Sequence, residues 1–269
     1  MFTPQGPTFL ELTVQALSST ERGYDLLAPK FDQTPFRTPD RLLDAVACAL
    51  RPLGPFQKGL DVCCGTGAGV GVLRELCEER VTGVDFSAGM LSAARSAFPH
   101  DQGGTDPGCT DDHGDRAEPG GPGDRGRTGG GPVVDWVRAD ARALPFRPVF
   151  DLAVSFGAFG HFLPHEQGVL FAQVHAALRP GGRFAFPIVA PPRVGSRLYW
   201  ALWSFDVAMR VRNAVWRPRF VMYYRTFRLS HVCRELRAAG FSVELLPLLD
   251  LGRQPDGSPR CRLVVARRV

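Results

Sequence analysis

The 269-residue sequence contains no apolar run near the roughly 18–20 residues that a membrane-spanning helix requires. Its beginning, MFTPQGPTFLELTVQ, lacks a basic n-region and carries Glu11 within its apolar part, so it does not read as a signal peptide. The seven cysteines include no C-x-x-C pair, and Cys63 and Cys64 are adjacent in an apolar run. That pattern excludes a disulfide framework or a zinc ribbon and points to reduced thiols in a cytoplasmic protein. Lysine is nearly absent. Lys30 and Lys58 are the only two, so the net charge of +5 is carried by arginine. The remaining composition, 44% apolar and 22% charged, is that of a globular chain able to bury a sizeable core.

The most informative stretch runs from Gly59 to Asp85, GLDVCCGTGAGVGVLRELCEERVTGVD. Gly59–Cys64 is short, apolar and β-prone. Gly65, Thr66, Gly67, Ala68 and Gly69 make a small-residue turn. Val70–Cys77 has apolar residues at helical spacing, and Val81–Val84 is a second apolar run ending in Asp85. This predicts a strand–loop–helix–strand unit in which main-chain N–H groups at the helix start are open to a ligand. An acid at the tip of the second strand can accept the hydroxyls of a ribose. A dinucleotide fingerprint, G-x-G-x-x-G, requires a third glycine at the position held by Val70, and that glycine is missing.

The order D-V-C-C-G-T-G-A-G, with Asp61 inside the strand, resembles the first motif of the class I S-adenosylmethionine-dependent methyltransferases. Further elements of that resemblance follow in order. Tyr24–Asp32, YDLLAPKFD, is similar to an N-terminal segment whose aromatic residue folds over the cofactor. Asp85 to Leu91 matches D-x-S-x-x-M-L. Asp140-Ala141 stands just past a strand, and Leu178–Gly182 reads L-R-P-G-G. The resemblance implies an α/β, three-layer Rossmann-like sandwich around a seven-stranded, mostly parallel sheet with an antiparallel last strand. It implies S-adenosylmethionine as cofactor, with Asp61 and the loop Gly65, Thr66 and Gly67 near its amino-acid part. Asp85 would bind the ribose, Phe86 and Met90 would flank the adenine, and Asp140 with Ala141 would lie at the adenine's exocyclic amine. Asp140 is expected to offer an unoccupied carboxylate oxygen to that amine.

The residues themselves predict the remaining elements. Thr38–Leu53 reads as a helix capped by Thr38 with Pro39 at its first position. Ser87 caps the next helix. Strands are expected at Val133–Val137, Phe150–Phe156, after Gly182, at Phe241–Leu249 and at Arg260–Val265. Helices are expected at Pro164–Leu178, Gly195–Ala214 and Ser230–Ala239, the second with Leu198, Leu202, Phe205 and Met209 in one stripe. The whole of 1–269 reads as a single domain with an N-terminal cap segment at 1–36 and a basic, aromatic cover segment at 193–228. Residues 100–132 form a Gly/Asp/Pro-rich insertion with no apolar period. Asp111, Asp112, His113 and Asp115 lie in that insertion without a hydrophobic shell, and no metal site is expected.

Ligands of parallel sheets collect beyond the carboxyl ends of the strands, so Ser155 and Phe156, with the following GAFGHF, should line the site. His161 is the candidate general base, with pocket shaping through a backbone hydrogen bond as its competing role. Tyr223 and Tyr224 are candidate acceptor contacts, while His165 and Glu166 read as surface residues. The N-P-P-Y type motif of nucleobase and protein-amide methylases is absent after the fourth strand, which favours a small, lipid-like or aromatic acceptor. Two alternatives stay open. One is an RNA- or membrane-associated methyltransferase using the arginines and aromatics after Arg193. The other is a non-catalytic protein that binds a nucleotide cofactor. Oligomeric state is not legible.

Overall fold

A computed structural model describes residues 6–34, 36–99, 131–225 and 227–269. The insertion expected at 100–132 falls almost entirely outside the described residues, as do Asp111, Asp112, His113 and Asp115. Among the described residues no group of three or more His, Cys, Asp or Glu could hold a metal ion. No helix among them is long and apolar enough to cross a membrane.

The chain begins with two short helices, α1 (Phe9–Leu17) and α2 (Thr20–Leu27). Thr8 and Glu11 form a reciprocal capping box on α1, and Ser19 caps α2. Helix α3 (Asp40–Leu50) starts later than expected. Pro39 rather than Thr38 is its N-cap, no side chain caps it, and the lone acid of its first turn is Asp40. Strand β1 (Phe56–Val62), helix α4 (Ala68–Leu76) and strand β2 (Cys77–Asp85) then form the expected unit. β1 stops at Val62. Cys63 has φ 59°, a left-handed conformation incompatible with the strand that the sequence suggested there. Helix α5 (Ala88–Ala97) is capped by Ser87, whose oxygen accepts the Met90 N–H.

Beyond the insertion come β3 (Val133–Arg138) and β4 (Phe150–Val154), every residue of β4 being buried. Helix α6 (Gln167–Ala177) leads into β5 (Leu178–Val189). L-R-P-G-G is therefore part of a strand and not a turn before it. The register with β4 shifts between Phe150–Leu178 and Leu152–Arg183, and Gly182 sits where a Cβ would be 3.0 Å from the Phe150 carbonyl. Helices α7 (Arg197–Val215) and α8 (Leu229–Ala238) precede β6 (Phe241–Pro247) and β7 (Cys261–Arg268). The expected stripe on α7 is only partly buried. Met209 is covered and Leu198 lies at the exposed N-terminal end.

The sheet order is β3-β2-β1-β4-β5-β7-β6. β1 to β5 run parallel, and β7 is inserted antiparallel between β5 and β6. Alternate residues feed separate cores on the two faces. Phe184 and Phe186 of β5 pack with Phe171 and Leu236 from α6 and α8, whereas Ala185 and Val154 pack on the side of Leu50 and Leu73 from α3 and α4. This is the three-layer, seven-stranded arrangement expected from the sequence. The strand order reverses between β1 and β4, which opens a crevice at the carboxyl ends of β1, β2 and β4.

Asp151 fastens the opposite end of these central strands. Where the β1 register shifts, the N–H groups of Gln57 and Lys58 both donate to Asp151 Oδ2, at 2.9 and 2.8 Å, and Arg179 pairs with Oδ1. Asp151→Ala should remove three charge-assisted partners at a buried position and lower stability by about 3 kcal/mol. A thermal melt checks this, and a Tm within a degree of the parent would refute it.

Candidate functional site

A cavity of about 670 Å³ opens at the carboxyl ends of the strands, roofed by the N-terminal helices and by residues from the segment after Arg193. That volume suits a cofactor-sized ligand with room for a small partner. Its floor is the turn after β1. Cys63, Gly65 and Gly67 all have positive φ, of 59°, 53° and 96°. They swing the chain sharply so that Asp61 and the first residues of α4 face the same space. Gly65 lines the cavity, and a Cβ there would meet nothing. Gly69 also lines it, but a Cβ would come within 2.5 Å of the Asp61 carboxylate. The glycine is needed for that close approach of acid to helix.

Asp61 is 1% exposed, and neither carboxylate oxygen has a hydrogen-bond partner. Burial pushes its pKa well above the ordinary value, and the nearby Asp85 adds to this. The amides of Gly69 and Val70 at the start of α4 pull the other way. Asp85 is better provided. Its Oδ2 accepts from Gly65 N and its Oδ1 from Ser87 N, both at 2.9 Å. Burial still raises its pKa, against the lowering effect of those amides. A carboxylate has about four lone-pair positions, so two remain for hydroxyl donors. The two acids thus form a carboxyl-lined end of the cavity, one of them met only by main-chain amides.

Phe86, Met90 and Ala141 line the cavity, as do Asp140 and Phe156. Asp140 differs from expectation. Its Oδ1 accepts from the Arg142 backbone N–H (2.8 Å) and Nε (3.0 Å), and its Oδ2 from Nε (3.1 Å) and Nη2 (2.6 Å). This clamp holds its pKa below the usual range and leaves no free oxygen in the arrangement seen. Arg142 also pairs with Glu166, and both line the cavity. The sequence reading missed Arg142 and placed Glu166 on the surface. The signal available was the two-residue spacing of Asp140 and Arg142, which lets the side chain fold back along the loop.

Two expected residues do not reach the cavity. Gly67 caps α4, with the space for a Cβ blocked by Phe98 at 2.7 Å and Trp136 at 3.1 Å, so its role is turn and packing. Ser155 is buried, and its hydroxyl donates to the Val62 carbonyl at 2.7 Å, tying β4 to the end of β1. Thr66 lines the cavity, but its hydroxyl donates to Asp32 at 2.8 Å. Asp25 likewise accepts from the Ser87 hydroxyl (2.6 Å) and the Gly89 N–H (2.8 Å). The N-terminal segment is therefore bonded to both loops that flank the acids.

At the other end stand Tyr24 and His161. His161 Nδ1 lies 2.7 Å from the Val221 carbonyl, which can only accept, so Nδ1 carries the proton. Nε2 is then the acceptor, and the Tyr24 hydroxyl donates to it at 2.7 Å. Burial lowers the His161 pKa and raises that of Tyr24, so both are neutral at physiological pH. Around the pair the wall is apolar, with Phe31, Phe36, Phe162, Leu163 and Met222. Tyr224 also lines it, whereas Tyr223 is buried and its hydroxyl accepts from Asn213. Cys63 lines the cavity too, but burial and the two acids keep its thiol protonated.

Residues 60–184 match the family model described as a methyltransferase domain. A curated relative, the ubiquinone/menaquinone biosynthesis C-methyltransferase UbiE of Desulfotalea psychrophila, is 29% identical over 134 residues, 49% of this chain and 42% of the relative. The chain thus matches less than half the length of that relative. Among solved structures, the DhpI complex with SAH is similar over 97% of this chain and 98% of its own, with TM-score 0.59 and 18% identity. A SAM-dependent methyltransferase from Methanosarcina mazei is similar over 80% and 94%, with TM-score 0.53 and 16% identity. The structural likenesses establish the fold. The matched methyltransferase-domain pattern spans the glycine loop and strands β1 to β4, just under half of the chain.

Proposed function

We propose that the chain binds S-adenosylmethionine in the cavity and transfers its methyl group to a small, apolar acceptor. The observation that carries this is Asp61, a buried carboxylate on the cavity wall with no side-chain partner and only the amides at the start of α4 against it. A ligand ammonium group would satisfy it, and S-adenosylmethionine has one. Asp85 has lone pairs left for two ribose hydroxyls, and Phe86 and Met90 offer flat apolar contact beside them. Asp140 is assigned the adenine edge with a changed role, because Arg142 must release an oxygen before an amine can use it. The cofactor supplies a methyl group on a sulfonium with a neutral leaving group. The protein's task is then mainly alignment of the acceptor, for which effective molarities of about 10⁵–10⁸ M are attainable.

The apolar end receives the acceptor. The curated relative is named as a C-methyltransferase of ubiquinone/menaquinone biosynthesis, and an aromatic acceptor of that chemical kind suits a wall of Phe31, Phe36, Phe162 and Met222. An acceptor that loses a proton gives it to the Tyr24 oxygen as the Tyr24 proton passes to His161 Nε2. The Val221 carbonyl holds the resulting imidazolium through Nδ1–H. His161 therefore acts through Tyr24, which joins the base role and the pocket-shaping role.

Asp61→Asn should weaken S-adenosylmethionine binding at least about tenfold, measured by calorimetry beside S-adenosylhomocysteine and NADH. Binding of NADH alone would overturn the proposal. The same substitution should stabilise the ligand-free protein. The folded-state pKa of Asp61 is raised, so stability is lost as the pH rises from the ordinary carboxyl value through the raised one, and an amide removes that penalty. The Tm should rise, by about 2–4 °C for each kcal/mol recovered.

His161→Ala and Tyr24→Phe should each reduce turnover about 10²–10⁴-fold, and the double variant no further, with cofactor affinity unchanged. Because burial lowers the His161 pKa, the acid limb of the parent's pH–rate profile should lie below that of an ordinary imidazole. A His161→Ala enzyme of full activity would remove the pair from the chemistry.

A further inference from the structure

Helix α7 is apolar on two opposite sides. Its inner side carries Met209 and, partly buried, Leu202 and Phe205. Its outer side carries Trp200, Trp203, Val207 and Val211, spaced as successive helical turns and exposed, Trp200 at 53% and Val211 at 57%. Val215 (79%) and Trp216 (50%) continue the exposed apolar surface at its C-terminal end. Three of the protein's four tryptophans are therefore on the surface of one segment. The Trp216 indole donates to the Leu17 carbonyl at 3.1 Å, which joins the end of α7 to the end of α1. Helix α1 in turn exposes Phe9, Leu10, Val14 and Leu17.

Within residues 193–228 the exposed charge has one sign, and the exposed Glu11 of α1 is paired with Lys30. Arg193, Arg197, Arg210, Arg217, Arg219 and Arg228 are exposed. The one acid between residues 193 and 228, Asp206, is buried and accepts the N–H groups of Tyr224 and Arg225. We infer that the outer side of α7, with the exposed apolar residues of α1 beside it, seats the protein on an anionic lipid surface. Tryptophan places an apolar ring and an N–H donor at the headgroup boundary, the valines enter the acyl region, and the arginines meet lipid phosphates.

The alternatives fit the observations less well. A second copy packed about a two-fold axis would bring the same arginines against one another. A nucleic acid would use the arginines and stack on the tryptophans but leave Val207, Val211 and Val215 in water. Arg219, Val221, Met222 and Tyr224 of the same segment line the cavity. On the methyltransferase reading, this surface would bring an apolar acceptor from the bilayer to the apolar end of the site. The binding itself needs neither cofactor nor turnover.

The test is flotation of the full chain with vesicles of phosphatidylcholine alone and of equal parts phosphatidylcholine and phosphatidylglycerol, with tryptophan emission as a second readout. Binding to the anionic vesicles is expected, with a blue shift and with weakening as salt rises. Trp200→Ser with Trp203→Ser, and separately Arg193→Gln with Arg197→Gln, should each reduce it roughly tenfold or more. All four positions are exposed, so Tm and cofactor affinity should not move. Absence of binding at low salt would overturn the inference. So would a concentration-dependent dimer that the tryptophan variant abolishes while vesicle binding persists, or RNA binding in place of vesicle binding.

Discussion

Two carboxylates at the tips of adjacent strands set the terms for the rest of this structure. Asp61 on β1 and Asp85 at the end of β2 are both buried, and Asp85 raises the cost of ionising Asp61. The chain offsets this with backbone dipoles. The turn at Cys63–Gly67 and the absence of a Cβ at Gly69 bring the start of α4 against Asp61, while Gly65 and Ser87 give their N–H groups to Asp85. Compensation is complete for neither acid. A fold left to optimise stability alone would replace Asp61 with an apolar or amide side chain. Keeping it makes sense where a cationic ligand occupies the cavity for much of the time.

The N-terminal segment is built onto the same compensation. Asp25 accepts from Ser87 and Gly89, and Asp32 from Thr66, so the loops that present Asp85 and line the cavity are also the loops to which the cap is tied. Its other edge is held by the segment after α7, through Thr20 to the Val221 N–H and through stacking of Tyr24 on Phe220. Tyr24 and His161 lie at that junction. One hydrogen-bond chain, from Tyr24 through His161 to Val221, links the cap, the loop after β4 and the cover segment, so the alignment of the pair depends on all three. These bonds are individually worth about 0.5–1.5 kcal/mol, far weaker than the sheet beneath.

The strand–loop–helix–strand unit and its two acids were readable because they rest on local chemistry, whereas the seven-stranded arrangement was implied by the resemblance. Glycines at 65, 67 and 69, an acid ending an apolar run and a serine at the start of a helix each constrain the backbone within a few residues. What misled was longer in range. Thr38 has good capping chemistry, yet Pro39 is the N-cap and Thr38 lines the cavity. Gly67 looks like a ligand-approach glycine, but Phe98 and Trp136 from distant elements fill the space over it. Asp140 seemed free because a sequence does not show Arg142 turning back onto it. The Tyr24–His161 contact spans 137 residues, and no local pattern announces it. Burial and partnership were the missing quantities, and both belong to tertiary packing.

The cavity's two ends demand different things of solvent, which bears on why the roof is elaborate. The acid end must stay polar enough to tolerate two carboxylates before a ligand arrives. The far end, where Phe31, Phe36, Phe162 and Met222 meet Tyr24, keeps the His161 imidazole neutral by burial. Water admitted freely there would raise its pKa toward the ordinary value and weaken the case for proton uptake by a neutral base. A roof made of separate segments, docked by polar bonds at the acid end and by stacked rings at the other, can keep the apolar end dry while the acid end exchanges its ligand. The exposed tryptophans and valines of α7, like Phe9 and Leu10 of α1, present apolar surface that the cavity does not explain. The tryptophans and valines lie on the outside of a helix whose inner side, at Met209, packs against Phe220 and Tyr223 of the segment that lines the cavity.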